Sequence, residues 1–464
     1  MGPVSVHRMF GYESPESRVM CDFRPVLIAC CLAMLSVGDN STAIMAALPA
    51  MTTDLHLGPS EVEWVVNAYL LTAAIFIILG GDAADQFGAR YSSTAGIGLF
   101  ALASLIIAIA PAGSIVVGAR ALQGLGAAFA VAGTLAAVTE AAPESRRAEA
   151  IGAWTGFLML GFSIGPLIGG VVTHYAGWRF TFLLNAIAMV PAGLILMLHR
   201  GTGGRRTKSR DWVGLGVLAF FMVMLITGLQ ALSHVRSAPQ AAIVAFALAM
   251  FAFGVLILTE TRHPQPLVDF GLFSNRNFAL ASGLAFLLMF DIMALLLYYN
   301  LFAQSPGGLG MSAVAAGLSL MPLSVALFAF ARAAPWLGIS IGLRRMLIGG
   351  SLMLTLGCAI AWASSQTEAR FATLMLGLFL AGAGIAPLYA SAARVGLATL
   401  PQLQAGKGSG ILNSCSFLGG TVGVTCGGIV FKLAEFPGVL VLLGLSALVG
   451  AGLCLRLEER RFAG

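Results

Sequence analysis

Fourteen apolar stretches, each about nineteen residues or longer and separated by short polar turns, leave this chain little choice of fold. They cover residues 26–49, 62–81, 92–110, 114–139, 148–173, 180–198, 212–232, 241–259, 278–303, 312–335, 346–364, 371–396, 408–431 and 437–455. A helix of roughly 20 residues crosses the hydrocarbon core of a bilayer. A lipid-exposed backbone must satisfy its hydrogen bonds within its own segment, so helices are the physical default. The alternating stretches of a membrane β-barrel are absent. Charged residues make up 10% of the chain and mean hydropathy is +0.90, against about 25% charge in an ordinary soluble domain. Soluble, disordered, collagen-like and disulfide-rich secreted classes are thereby excluded. The expected fold is an all-α membrane protein of 14 spans.

The net charge of +6 does not point to nucleic acid, because the basic residues are dispersed over loops. With the N-terminus placed in the cytoplasm, 21 of the 26 Lys and Arg fall on the inner side. The outer side holds Arg179, Arg236, Arg370 and Lys432, and Arg120 lies within a span. The positive-inside rule then places both termini in the cytoplasm. The first apolar run is too long for a signal-peptide core and reads as an uncleaved span. The seven cysteines form no C-x-x-C pair and read as buried apolar thiols.

Transporters commonly contain two repeated halves. The expected organisation is a cytoplasmic tail (1–24), a six-helix half (25–198), a basic cytoplasmic loop (199–211), two inserted helices (212–260), a linker (261–277), a second six-helix half (278–455) and a C-tail (456–464). Spans 1 and 9, 5 and 13 then correspond.

A charge at the bilayer centre costs at least ~2.5–3.5 kcal/mol and marks a pathway by default. Three charges sit well inside spans: Asp39, Arg120 and Asp291. Asp39 and Asp291 are each the fourteenth residue of corresponding spans, which suggests one central cavity lined from both halves. The alternative is that hydroxyls or Arg120 cap them and they serve packing. Desolvation favours the protonated form of a carboxyl and a neighbouring guanidinium the ionised form, so such a pairing would suit a proton switch. Gly161, Gly165 and Gly169 in span 5, and Gly419, Gly423 and Gly427 in span 13, recur every four residues and permit close helix approach. Set in corresponding spans, with Pro166 beside Gly165, they are expected to form a rocking seam between the halves. Phe286, Met289, Phe290, Met293, Tyr298 and Tyr299 of span 9 either line an adaptable pocket or, the blander reading, simply pack.

The segment Gly161-Phe-Ser-Ile-Gly165-Pro166-Leu-Ile-Gly169-Gly170 resembles the antiporter motif of the major facilitator superfamily, specifically of its 14-spanning drug/proton antiporters. Gly81-Asp-Ala-Ala-Asp85-Gln-Phe-Gly88-Ala-Arg90 resembles the superfamily's loop signature, an inner gate latch. Arg120-Ala-Leu-Gln123-Gly124-Leu-Gly126 resembles the span-4 motif whose arginine is associated with proton coupling. Trp178-Arg179, followed by Phe182 and Asn185, opens span 6 in the family manner. The resemblance implies alternating access, export of small amphiphilic compounds (drugs, antibiotics or toxic metabolites) across the inner membrane, and exchange for protons. It implies no cofactor beyond the proton gradient and action as a monomer in lipid. Asp39, Asn40, Arg120, Gln123 and Asp291 become the candidates for proton and substrate binding.

Three departures refine this. Counting back from Leu48-Pro49 puts Asn40 where the family carries its acid, and one residue is about 100° of helix. Ala89 replaces a second basic residue in the loop signature, and spans 12 and 13 hold no acid. A monocationic, neutral or anionic cargo therefore fits better than a dication. An exporter or permease for an endogenous metabolite has the same fold, and a membrane sensor remains an alternative. An intramembrane enzyme would need a nucleophile–base pair or metal ligands at span depth, and no histidine or paired cysteine stands there.

Overall fold

The computed structural model describes residues 15–198, 211–232, 239–264, 266–365, 371–401 and 404–457. Among them are thirteen helices long and apolar enough to cross a membrane. In chain order they are α1 (Pro15–Leu55), α2 (Pro59–Phe87), α3 (Ala89–Ala108), α4 (Gly113–Ala141), α5 (Arg147–Ala176), α6 (Trp178–Leu198), α7 (Trp212–Leu232), α8 (Pro239–Arg262) and α9 (Arg276–Gln304). The short α10 (Ala313–Ser319) and α11 (Met321–Ser340) form one span, followed by α12 (Leu343–Ser365), α13 (Phe371–Ala398) and α14 (Ala405–Leu455).

The last helix, 51 residues long, is interrupted at Ala434 (φ −143°) and Glu435 (φ +52°). That break lies in the gap between the apolar stretches 408–431 and 437–455 and divides α14 into two arms. Elsewhere glycine makes the corresponding reversals. Gly88 (φ +94°) separates α2 from α3, and Gly342 (φ +89°) separates α11 from α12. Such φ values clash with any Cβ, so these two turns require glycine. Asn275 starts α9, its side-chain oxygen accepting from the Asn277 and Phe278 amides at 3.1 and 3.2 Å.

Packing repeats. In α1–α6, α1 lies on α5, α4 on α2 and α3, and α6 on α3. In α9–α14, α9 lies on α14, α13 on α11 and α12, and α12 also on α14. The two sets meet through α2 against α14, α5 against α10 and α11, and α1 against α9. α7 and α8 pack on each other, with α7 touching α2 and α14. Much of α8 is exposed, including Ile243, Met250 and Phe251, as a lipid-facing helix would be.

The glycine stripes have a different job from the one expected. An ideal Cβ on Gly161 would stand 2.7 Å from the Asp39 amide nitrogen, and one on Gly165 2.9 Å from the Asp39 carbonyl. Gly169 abuts Ala43 in the same way. In the second set, Gly419, Gly423 and Gly427 meet Phe286, Phe290 and Tyr298 of α9. These glycines therefore join α5 to α1 and α14 to α9, inside each set. The seam between sets touches only the end of the motif: Gly170 faces the Ala313 backbone, and a Cβ on Gly317 would stand 2.7 Å from the Pro166 carbonyl.

Residues 1–14, 199–210 and 458–464 lie outside the described residues, and the rest of the expected N-tail, from Pro15, is part of α1. The six cysteines whose side chains are described are free, and each is buried or half-buried.

Candidate functional site

Arg120 and Gln123 sit on one face of α4, three residues apart. Arg120 is 0% exposed. Its Nε donates to the Val65 carbonyl on α2 at 2.9 Å, and Nη1 donates to Gln123 Oε1 at 2.6 Å. The guanidinium carbon lies 4.3 Å from the centre of the Tyr69 ring, within cation–π range. Gln123 Nε2 donates to Asn40 Oδ1 on α1 at 3.2 Å and to Ser104 Oγ on α3 at 2.7 Å. Ser41 Oγ donates to Tyr69 Oη at 3.2 Å. One buried polar network thus joins α1, α2, α3 and α4. Gly124 permits it, because a Cβ there would stand 3.0 Å from the Tyr69 carbonyl carbon. Arg120 Nη2 and Asn40 Nδ2 are buried donors without a partner, and no carboxylate ion-pairs with Arg120 among the described residues. The network is rich in donors and suits an acceptor or a negative charge more than a cation.

Asp39 does not join it. Successive residues of α1 point about 100° apart. Gly38 faces α5, Asn40 faces Gln123 of α4 and Ser41 faces Tyr69 of α2. Asp39 instead faces Asn185 of α6, with Asp39 Oδ1 and Asn185 Nδ2 each left without a well-formed hydrogen bond. Asp291 has the matching place in the second set: it faces Ser446 on the second arm of α14, beside Cys358 of α12. Both carboxyls are buried, at 7% and 2% exposed. The shared cavity expected from the sequence is not lined by either acid. Each acid is directed at the last helix of its own set.

Part of the space between the sets is apolar. A narrow apolar chamber lies between α5, α9, α11 and α13. Met159, Phe162 and Ser163 of α5, Met289 and Ile292 of α9, and Tyr389 of α13 line it with small aliphatic neighbours. No charged side chain lines it. Tyr389 is the one phenol in this lining, set among apolar neighbours. Of the aromatic and Met residues expected along span 9, only Met289 lines the chamber. Tyr298 donates to the Val424 carbonyl at 2.6 Å, and Tyr299 shares a hydrogen bond with Ser319. Ile292 and Met289 flank Asp291 in sequence, yet Asp291 turns away from the space they line.

In the loop signature, Gly88 makes the turn, Asp85 is exposed, and the Arg90 guanidinium lies 5.6 Å from the Tyr91 ring centre. Gly81 has open space around it. Its neighbour Gly80 makes the close contact, where a Cβ would stand 2.6 Å from the Ala128 carbonyl. At the α1–α2 end of the molecule, Asp54 accepts from Trp178 Nε1 at 3.1 Å and pairs with Arg179 at 2.5 Å, so the Trp-Arg pair ties α6 to α1.

Sequence reading missed three buried acids, Glu63, Asp211 and Glu260, of which Glu63 reaches the opposite set. Glu63, about one turn into α2, is 7% exposed and pairs with Lys432 of α14 at 3.6 Å. It lies at the edge of an apolar stretch, and nothing local marks a partner some 370 positions away.

The family model described as Major Facilitator Superfamily matches residues 29–338. The tetracenomycin C resistance and export protein of Streptomyces glaucescens is 29% identical over 413 residues, covering 88% of this chain and 75% of that protein. The quinolone resistance protein NorB of Staphylococcus aureus (strain COL) is 26% identical over 449 residues, covering 94% and 96%. A solved POT family transporter in complex with 5-aminolevulinic acid superposes with a TM-score of 0.69 at 14% identity, covering 93% of this chain and 95% of that one. The nucleoside transporter NupG superposes at 0.63 with 12% identity, covering 93% and 98%. These two likenesses speak to the fold alone.

Proposed function

The chain belongs to the Major Facilitator Superfamily, and we propose from that premise that it exports small, largely apolar compounds in exchange for protons by alternating access. It is a transporter rather than an enzyme, and a multi-pass protein of the bacterial inner membrane. The resistance exporters among its relatives support a drug-efflux role. The observation that carries the reading is the uncharged chamber between the two repeated helix sets, with Tyr389 as its polar handle.

The finer assignment is fourteen spans. It counts α10 and α11 as one and the arms of α14 as two, with both termini cytoplasmic on the strength of the Lys and Arg distribution. The halves are residues 25–198 and 278–455, with α7 and α8 inserted between them, and a single chain contains a complete pathway. Arg120, Gln123 and Asn40 keep the network that shapes the first half and present unpaired donors to a passing charge or proton. Asp39 and Asp291 tie the first helix of each half to its last. Inward movement of one proton is worth ~2.3 kcal/mol per 100 mV, before the pH gradient is added.

A chamber without a carboxylate cannot repay the desolvation of a dication. Expression in a pump-deficient host is therefore expected to protect against neutral and monocationic lipophilic compounds and to give no protection against dicationic ones. Tyr389→Phe should weaken protection against compounds bearing a hydrogen-bonding group by about tenfold or less, the value of one hydrogen bond. It should spare purely apolar compounds. Tyr389→Ala should lower protection against both. Protection against dications with none against neutral compounds would contradict the assignment.

A further inference from the structure

We propose that Glu63 is a proton-binding site that controls opening of the seam between the two halves at the α1–α2 end. This rests on the transport reading above and adds a residue that none of the family motifs covers. Asp39 and Asp291 are buried inside their own halves. Glu63 is the one buried span carboxylate, among the described residues, that pairs with a cation of the opposite half.

The surroundings are built for this contact. A Cβ at Gly428, one turn before Lys432 on α14, would stand 2.5 Å from Glu63 Oε1 and 2.7 Å from Tyr298 Oη. Glycine there leaves room for carboxylate and phenol to sit together. One turn deeper, Asn67 Nδ2 donates to Thr425 Oγ1 at 2.9 Å, and further in Ser414 Oγ donates to the Ala74 carbonyl at 2.7 Å. These hydrogen bonds run between α2 and α14, and Glu63–Lys432 closes the row at its end. The groups facing Glu63 are Lys432 from α14 and the Tyr298 phenol from α9, with the Cys426 thiol beside that phenol. Asp54 of α1 and Arg179 of α6 pair with each other.

The Lys432 side chain is 35% exposed, so water and protons reach the pair from this end. Parting the halves with both groups charged would leave a carboxylate unpaired at the edge of the membrane. A proton taken from water onto a Glu63 oxygen removes that obstacle, and Lys432 turns to solvent as the seam opens. Closure returns the proton to the same side, so this proton gates the transporter and is not the one carried across.

The test is the distance between spin labels on T53C and G307C, one at the end of each half. It uses the full-length protein in nanodiscs with its native cysteines replaced by alanine. From about pH 8 to about pH 5.5 the population with the longer distance is expected to grow about threefold or more. In Glu63→Gln and in Lys432→Gln the longer distance should already dominate at about pH 8 and respond little to acid, while Lys432→Arg should behave as the parent. A parent without pH response, or a Glu63→Gln protein that keeps the parent's response, overturns the proposal. No transport is needed for this readout. Failure of the export reading would appear separately, as absent substrate counterflow in vesicles with the distance change intact.

Discussion

Arg120→Ala is expected to reduce export to the background of an empty host, with susceptibility rising by tenfold or more. The side chain is wholly buried and makes two charge-assisted hydrogen bonds as well as a stack on Tyr69. Hydrogen bonds to a charged group are worth ~1.5–3 kcal/mol each, and a desolvated cation–π contact adds ~2. Removal leaves Gln123 without its donor and opens a cavity between α2 and α4. Arg120→Lys should rescue little. An ammonium cannot reach the Val65 carbonyl and Gln123 together while lying flat on the ring, because the planar fork is what fits all three. Susceptibility, together with the melting temperature of purified protein, separates the two causes. A folded Arg120→Lys protein that still fails to export would locate the loss in function. Full export by either variant would remove the network from the account.

The second large effect is structural. Gly161→Val and Gly423→Val are each expected to cut the yield of monodisperse protein about tenfold. Overpacking a well-packed interior ordinarily costs ~1–3 kcal/mol. Here the added atoms would meet backbone rather than a side chain that can swing away. At Gly161 they meet the Asp39 nitrogen, and at Gly423 a Cβ would stand 2.6 Å from the Phe290 Cα. Gly152 belongs to the same helix as Gly161 but has nothing within 4 Å of its Cβ position. Gly152→Ala, which also favours the helix, should therefore express and export normally, and equal damage from it would show that close approach is not what these glycines supply.

These contrasts indicate what a sequence of this kind reveals. Hydropathy alone locates the long apolar helices, and the gap it leaves after residue 431 falls at the break near Glu435, because the bilayer imposes a length on every crossing. The correspondence of Asp39 with Asp291 is also legible, since it depends only on counting. Arg120 and Gln123 are legible because three residues along a helix return to one face. The direction in which Asp39 points is not, because one residue turns a side chain by about 100° and the choice of neighbour is made by α5 and α6. The glycine stripes announce close packing without naming the partner. Each stripe could have faced the other half, and it is the contact with α1 or α9 that shows it does not. The chamber is the least visible feature. Its lining differs in no local property from residues that merely pack. Glu63 and Lys432 were hidden for the opposite reason: each looks like an ordinary charge at the end of a span until folding brings α2 against α14.

The account's central claim is that apolar cargo moves through an uncharged chamber in exchange for protons. Inside-out membrane vesicles with an acid lumen and an entrapped pH dye test it most directly. Addition of a neutral lipophilic compound should raise lumen pH as the compound accumulates, and Arg120→Ala and Tyr389→Ala should abolish both signals. Accumulation of the compound with lumen pH unchanged would contradict the exchange, and lumen alkalinisation by dications alone would contradict the chamber.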